Sequence, residues 1–176
     1  MDMTKKEFLH AVANGKEDVL QIFLDALAES GSGYCVIGGL AVNAYVEPVV
    51  SLDLDIVVTA KDMHAVCKRA EKKGFKVECF EHSVNLATDK SDLRVQLQTD
   101  RRYQDFIPRA VQKEVMGYTM NVAALPDVLQ GKIWAYSDET RRRSKRQKDL
   151  ADIMRLVEAY PELQDQLPPA IRKALQ

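Results

Sequence analysis

Two short apolar segments, each beside a small group of distinctive residues, most strongly limit what this chain can fold into. Tyr34–Ile37 is an apolar run followed directly by Gly38-Gly39, and residues 53–59 begin with Asp-Leu-Asp before they become apolar. Short apolar runs bounded by glycine or turn residues predict buried strands. Helical sequence follows each of them, which favours an α/β fold with a small mixed sheet flanked by helices.

The rest of the chain predicts further helices and strands in the same style. Thr4 and Glu7 have the spacing of a capping box, which opens a helical sequence that breaks at Asn14-Gly15 and continues to residue 29. Other predicted elements are a helix over 62–73, strands over 75–80 and 118–122, and a hairpin over 84–88 and 93–98. The sequence also predicts a short helix over 40–45 and a loop-like or helical stretch up to Val115. From Pro126 onward the sequence is helical, and the last long helix is predicted over 149–160. We therefore predict an α/β core with N-terminal helices in residues 1–124 and a helical C-terminal part, residues 125–176, packed on it.

Composition argues against several functional classes. The 25 Lys and Arg residues nearly balance the 26 Asp and Glu residues, so the net charge of −1 offers no global field for nucleic acid or an anionic membrane. No apolar run reaches about 18 residues, and the charged N-terminus lacks an apolar signal segment. The three cysteines are far apart and match no zinc pattern. We expect a soluble cytoplasmic protein whose anion-binding features are local.

Asp53 and Asp55 form the first candidate site. Alternate residues of a strand point to the same side, about 6.6 Å apart along the backbone. Two carboxylates about 5 Å apart at an effective dielectric of about 20 repel each other by about 3 kcal/mol. Mg²⁺ (or Mn²⁺) removes that repulsion and prefers carboxylate and phosphate oxygens. Aspartates are also common where strands begin, so the pair alone leaves both interpretations open.

Gly38 and Gly39 form the second candidate site. Glycine allows the backbone to turn sharply and to approach a ligand closely. A strand, two glycines, a short helix and then a strand that begins with Asp-x-Asp would place a phosphate-binding turn beside a metal-binding pair. Ser51, two residues before Asp53, could donate its hydroxyl to the same site or could simply cap the loop.

Together these residues resemble a known family. Residues 37–45 (Ile-Gly-Gly-Leu-Ala-Val-Asn-Ala-Tyr) and 51–56 (Ser-Leu-Asp-Leu-Asp-Ile) resemble the signature of the polymerase-beta-type nucleotidyltransferase superfamily, and especially its minimal, AbiEii-like bacterial members. Residues 129–133 and 145–152 resemble the helical half of those proteins. The resemblance extends over about residues 34–156 and implies the nucleotidyltransferase fold.

The resemblance also implies an activity and the residues that perform it. In this family two magnesium ions held by three carboxylates bind an NTP and activate an acceptor hydroxyl, which takes the NMP and releases pyrophosphate. The acceptor would be RNA, a protein or a small molecule. The implied catalytic and metal residues are Asp53 and Asp55, and the implied nucleotide-binding residues are Gly38, Gly39, Ser51, Lys132 and Lys148.

The sequence departs from the family at the third carboxylate. The matching strand, residues 93–98, carries Gln96 where an Asp or Glu is expected. Asp92 and Asp100 share the strand parity of Gln96, and Asp92 is our candidate for the third metal ligand. If neither replaces the missing carboxylate, the chain would bind nucleotide as a sensor or a toxin–antitoxin-like module. The basic segment 141–148 is either a solvated helix start or a surface for phosphate or RNA.

Overall fold

The computed structural model describes residues 2–176 and confirms the mixed α/β fold. Within these residues a seven-stranded sheet is flanked by seven α-helices. The helices are α1 (Lys5–Val12), α2 (Val19–Ser30), α3 (Gly38–Val42), α4 (Met63–Lys72), α5 (Leu125–Ser137), α6 (Arg143–Ala159) and α7 (Pro169–Ala174). The strands are β1 (Tyr34–Ile37), β2 (Asp53–Val58), β3 (Lys76–Cys79), β4 (Ser83–Thr88), β5 (Ser91–Gln98), β6 (Val111–Val115) and β7 (Tyr118–Val122).

The sheet order places the strands of the candidate site at its centre. The order is β3-β4-β5-β2-β1-β7-β6. Strand β2 runs antiparallel to β1 and parallel to β5, and β1 runs parallel to β7. The C-terminal end of β1 and the N-terminal end of β2 therefore lie next to each other at the same end of the central strands.

Helices pack on this sheet in two groups. Helices α2 and α4 contact each other, and Phe23 of α2 meets Phe75 edge-on with ring centroids 5.8 Å apart. Helices α5 and α6 pack together, and both contact α3. The C-terminal helices thereby lie beside the turn that follows β1. None of the helices in residues 2–176 has both the length and the apolar character required to cross a bilayer.

Local sequence signals place most elements correctly. The Thr4 side chain accepts a hydrogen bond from the Glu7 backbone N–H, and Glu7 accepts one from the Thr4 N–H at 2.7 Å, so the capping box is confirmed. The predicted break is also present, because α1 ends at Val12 and Asn14 has a left-handed φ of 48°. Gly31, also left-handed, ends α2 as expected for a helix C-terminus.

The clearest differences from the prediction are two helix starts and one strand that was not predicted. Helix α3 begins on Gly38 itself, two residues before the predicted start at Leu40. Strand β6 lies where the sequence predicts loop or helix; it is an edge strand with mostly exposed residues, so it carries little apolar signal. Helix α6 begins at Arg143 rather than Asp149, because Lys and Arg are good helix formers and the basic segment continues the helix.

Candidate active site

The turn after β1 and the acidic pair of β2 are in direct contact. Ile37 pairs with Asp55 across the antiparallel strands, so Gly38 lies against the Asp55 side chain. Gly38 has a φ of 70°, and a Cβ at this position would overlap the Asp55 carboxylate. The position therefore requires glycine for two independent reasons, its backbone conformation and the space that it leaves for the carboxylate.

Both aspartates of the pair face one cleft. Asp53 and Asp55 are two residues apart on β2, and both line the same cavity. Burial raises the pKa of Asp55, an effect that the positive charge of Lys132 opposes and the negative charge of Asp53 reinforces. The ionised form of Asp55 is therefore unfavourable in these surroundings, and a cation in the cleft would offset that free-energy cost.

Two cations already approach Asp53. Arg94 is its partner in the register of β2 and β5, and Arg94 Nε donates to Asp53 Oδ1 at 3.0 Å. Lys145 of α6 brings its Nζ to 3.8 Å from Asp53 Oδ2. Because the Arg94 side chain is 67% exposed, its pair with Asp53 is a surface ion pair of low strength that a ligand could displace.

The cleft is small and strongly charged. Its cavity volume is about 110 Å³, and carboxylates, amides and cations make up most of its wall. The lining residues are Ile37, Gly38, Asp53, Asp55, Gln96, Gln98, Tyr103, Gly131, Lys132, Ala135, Arg141, Lys145 and Asp149. A wider groove of about 500 Å³ adjoins it and shares Gln98, Tyr103, Ala135 and Arg141.

A buried ion network supports the C-terminal wall of the cleft. Lys132 is only 6% exposed, and its Nζ lies 3.0 Å from Asp149 Oδ1 and 2.7 Å from Asp152 Oδ2. Arg141 and Arg155 complete the network through Asp149 and Asp152, at 2.7 and 2.9 Å. Burial lowers the pKa of Lys132, but the two aspartates outweigh that effect, so the net pKa is raised and the ammonium stays charged.

The structure brings some of the predicted site residues to the cleft and not others. Gly38, Asp53, Asp55 and Lys132 line it. Gly39 and Ser51 lie next to the cleft but are not part of its lining. A Cβ on Gly39 would be 3.6 Å from Ser51 Oγ, and that oxygen accepts a hydrogen bond from the Asp53 N–H at 3.4 Å. The predicted phosphate contact of Lys132 competes with its two buried ion pairs.

Lys148 and Asp92 lie outside the cleft lining. Lys148 is exposed on α6, whereas Lys145, three residues earlier, faces the cleft. Asp92 is at the far end of β5, about 13 Å along the strand from Gln96, and accepts a hydrogen bond from Asn14 at 2.6 Å. Asp92 therefore does not supply the third carboxylate in this arrangement.

Asp100, the other candidate for a third carboxylate, is held by Arg102. Its Oδ2 accepts from Arg102 Nε and Nη2 at 2.9 and 2.7 Å, and these bonds hold the pKa of Asp100 below its usual range. Asp100 lines the wider groove rather than the cleft. Within residues 2–176 there is no group of three or more His, Cys, Asp or Glu side chains placed to hold one metal ion.

The fold also brings Arg141, Lys145 and Asp149 to the cleft. The sequence analysis included Arg141 and Lys145 only within the basic segment 141–148, whose two interpretations stayed open, and it gave Asp149 no site role. Lys145, Asp149 and Asp152 follow the i, i+4, i+7 spacing that puts side chains on one face of a helix. That spacing is present in the sequence, but a helix that begins only at Asp149 excludes Lys145 from it. Tyr103 reaches the cleft from a 3-10 segment, Arg101–Arg109, in which the two buried residues, Tyr103 and Phe106, are three positions apart.

We expect Gly38→Ala to cost far more stability than the same change at two other glycines. An alanine at a left-handed φ costs about 1–2 kcal/mol, and at Gly38 the collision with Asp55 adds to it. Gly31→Ala isolates the backbone cost, since Gly31 has a φ of 67° and no atom lies within 4 Å of the place that its methyl group would take. Gly39→Ala meets only ordinary contacts and should be nearly neutral. Urea unfolding measures all three; equal losses in Gly38→Ala and Gly31→Ala would refute the collision.

Known structures with this fold provide the comparison. The chain is similar to ANT(2'')-Ia in complex with adenylyl-2''-tobramycin, with a TM-score of 0.63 and 16% identity over 90% of this chain and 97% of the other. It is similar to the lincosamide antibiotic adenylyltransferase LnuA with lincomycin bound, with a TM-score of 0.56 and 13% identity over 81% and 98% of the two chains.

A third similar structure is an antigenic nucleotidyltransferase-like protein from Paracoccidioides brasiliensis, with a TM-score of 0.53 and 16% identity over 80% of this chain and 75% of the other. No protein-family model matches the sequence, and a search of curated proteins finds no match. At these identities the likeness concerns architecture. The chain therefore has the nucleotidyltransferase fold.

Proposed function

We propose that this chain is a Mg²⁺-dependent nucleotidyltransferase that moves an NMP from an NTP to an acceptor oxygen and releases pyrophosphate. The observation that carries the proposal is the meeting of the Gly38 turn and the Asp53–Asp55 pair in one charged cleft. Such a cleft combines space for close approach of a phosphate with carboxylates that face a common point. The AbiEii-like character of the motif and a cytoplasmic setting belong to this proposal as well.

The donor set of the cleft fits a divalent cation bound together with a nucleotide. Two carboxylates on one face of β2 supply hard oxygen ligands, and Mg²⁺ commonly takes one or two carboxylates, substrate phosphates and waters. Asp55 is buried beside Asp53, so a cation offsets an existing repulsion. When bound, Mg²⁺ (or Mn²⁺) neutralises phosphate charge and polarises the transferred phosphoryl group.

Residues of this chain would hold the triphosphate. Arg141 and Lys145 present cationic groups at the cleft wall, where they balance the negative charge that shifts to the leaving pyrophosphate. Gly38, Gly39 and Ser51 form the turn beside the carboxylates, and we keep them in the proposed nucleotide site. Lys148 and Asp92 are left out, because the fold places them away from the cleft.

The similar structures support a transfer reaction. One of them contains an adenylyl group joined to tobramycin, and another is an adenylyltransferase for a lincosamide antibiotic. The acceptor of the present chain would be RNA, a protein or a small molecule. The wider groove next to the cleft, about 500 Å³, is the place from which an acceptor could reach the nucleotide.

A labelling experiment tests the proposal. Each α-³²P-labelled NTP is incubated with the protein, Mg²⁺ or Mn²⁺ and a cell extract, and label transfer is measured. We expect transfer by the wild type and by Asp92→Asn, whose carboxylate lies away from the cleft, and none by the double variant Asp53→Asn/Asp55→Asn. Transfer that persists in the double variant, or no transfer by the wild type, would remove the proposal.

Gln96 favours one alternative, a nucleotide-binding module without turnover, such as a sensor or a toxin–antitoxin-like partner. Gln96 is the register partner of Asp55 on β5, and an amide is a poorer metal ligand than a carboxylate and cannot act as a base. Calorimetry that shows Mg-NTP binding, together with no label transfer until Gln96→Asp is introduced, would favour this alternative over the enzyme.

A further inference from the structure

We infer that Arg94 determines the form in which the metal is bound: it competes with a free divalent cation for Asp53, and it does not oppose a cation that arrives together with a nucleotide. The inference rests on the proposed function and adds to it a residue that selects the metal–nucleotide complex. It follows from the cations that surround the acidic pair and from the freedom of one of them to move.

Both carboxylate oxygens of Asp53 already have a cationic neighbour. Arg94 Nε donates to Oδ1 at 3.0 Å, and Lys145 Nζ lies 3.8 Å from Oδ2. At 3.8 Å the Lys145 contact is too long for a hydrogen bond, so Arg94 is the closer competitor. A divalent cation that binds Oδ1 must displace Arg94, and one that binds Oδ2 lies beside its positive charge.

The sheet itself places Arg94 at this position. Its Cα is the register partner of Asp53 in the parallel pairing of β2 with β5, and its backbone N–H donates to the Leu52 carbonyl at 2.8 Å. The side chain, in contrast, is 67% exposed. The backbone therefore keeps Arg94 next to Asp53, while the guanidinium is free to leave the carboxylate because a surface ion pair is weak.

Two other cations near the acidic pair are fixed. Lys132 is buried between two aspartates, and Arg141 Nε is held by Asp149 at 2.7 Å. Burial raises the pKa of Asp55, and the positive charges of Lys132 and Arg141 oppose that rise. These two residues act on a metal and on a nucleotide from the same positions, whereas Arg94 can exchange one partner for another.

Arg94 also brings an excess of positive charge to the cleft. The lining contains three carboxylates and three cations, namely Asp53, Asp55 and Asp149 with Lys132, Arg141 and Lys145. Residues 94, 96 and 98 of β5 alternate with buried residues and share one face, and they are Arg, Gln and Gln. Strand β5 therefore adds one positive charge beside the pair and no negative charge, which disfavours a free divalent cation.

A metal–nucleotide complex differs from a free metal in what it offers to Arg94. When a free cation takes Asp53, the guanidinium loses its partner and faces a second positive charge. When the cation arrives with a triphosphate, phosphate oxygens are present, and a guanidinium binds these well through its planar set of N–H donors. Nucleotide thereby removes a cost of metal binding, which is a coupling between the two ligands through Arg94.

Binding measurements without turnover test the inference. The loss of the free-Mn²⁺ resonance signal gives the affinity for Mn²⁺ alone, and calorimetry gives the affinity for Mn²⁺ complexes of the four α,β-methylene NTPs, in which the bond that would break is replaced. For Arg94→Gln we expect Mn²⁺ alone to bind about three- to tenfold more tightly. A surface ion pair changes a competing equilibrium by up to about fivefold, and the lost repulsion adds to this. The Mn²⁺–nucleotide complex should bind no more tightly than to the wild type.

Two further variants separate competition for Asp53 from a general effect of charge. Lys76→Gln removes one positive charge from the edge strand β3, which lies three strand spacings, about 14 Å, from β2. At that separation salt screens the charge, so both affinities should stay unchanged. Arg94→Lys keeps the positive charge beside Asp53, and its affinity for Mn²⁺ alone should stay within about twofold of the wild type.

The outcomes distinguish this inference from the proposed function. The inference is overturned if Arg94→Gln leaves the affinity for Mn²⁺ alone unchanged or lowers it, if it tightens binding of the complex by the same factor, or if Lys76→Gln has the same effect. In each of these cases a wild type that binds the complex and transfers label keeps the proposed function in place. If the wild type binds neither Mn²⁺ nor any Mn²⁺–nucleotide complex, the proposed function falls and the inference falls with it.

Discussion

Asp55→Asn is expected to lower nucleotide transfer by about 1,000-fold or more while the ligand-free protein stays at least as stable as the wild type. The loss of activity follows because Asp55 is one of the two β2 carboxylates that line the cleft, whereas the third carboxylate of the lining, Asp149, is held by Lys132 and Arg141. The stability follows from the environment of Asp55, since burial disfavours its charged form and Asp53 adds repulsion. Asn has nearly the same shape and removes that charge.

Opposite changes in activity and stability would mark Asp55 as a functional rather than a structural residue. Strain or unfavourable charge at a site is commonly retained because a ligand uses it. Thermal unfolding of the ligand-free proteins measures one effect, and label transfer measures the other. Asp92→Asn is the control, because it affects only an exposed hydrogen bond to Asn14. A Tm several degrees below that of the wild type would instead mean that Asp55 stabilises the fold.

The sequence predicts the central part of this site because its signals are local. The glycines directly follow β1, and the aspartates are at the start of β2. If these two neighbouring strands are antiparallel, strand assignment alone places both groups at the same end of the sheet. The turn identifies the hairpin that contains β5, whereas the pairing of Asp55 with Gln96 is expected only from the family resemblance. These features depend on strands of strong apolar character, which sequence patterns identify well.

The C-terminal wall of the cleft is harder to predict because it depends on tertiary contacts. Whether Lys145 or Lys148 faces the cleft is decided by the rotation of α6, and that rotation is set by its packing on α5 and α3. The family resemblance implies a phosphate contact for Lys132, but its ammonium is paired with two aspartates, seventeen and twenty positions later in the sequence. A run of charges along the sequence gives no information on which of them will meet in the folded protein.

Lys132→Met is expected to destabilise the protein by about 3–5 kcal/mol, the usual cost of leaving a buried charge without its partner. Methionine fills a similar volume, so the loss reports on charge rather than on a cavity. Asp149 and Asp152 are 1% and 4% exposed, and each would lose an ion pair of 3.0 Å or less. Urea unfolding measures the change, and Lys148→Met on the exposed side of α6 should alter stability by less than about 0.5 kcal/mol.

A triple variant distinguishes the charge network from simple packing. Lys132→Met combined with Asp149→Asn and Asp152→Asn removes the two carboxylates together with the ammonium, so most of the lost stability should return. Arg141 and Arg155 would then lose their carboxylate partners, but both side chains reach solvent, which limits that cost. If the triple variant were no more stable than Lys132→Met alone, the cost of the single change would arise from packing around α5 and α6, and the buried ion network would not be what holds this wall of the cleft in place.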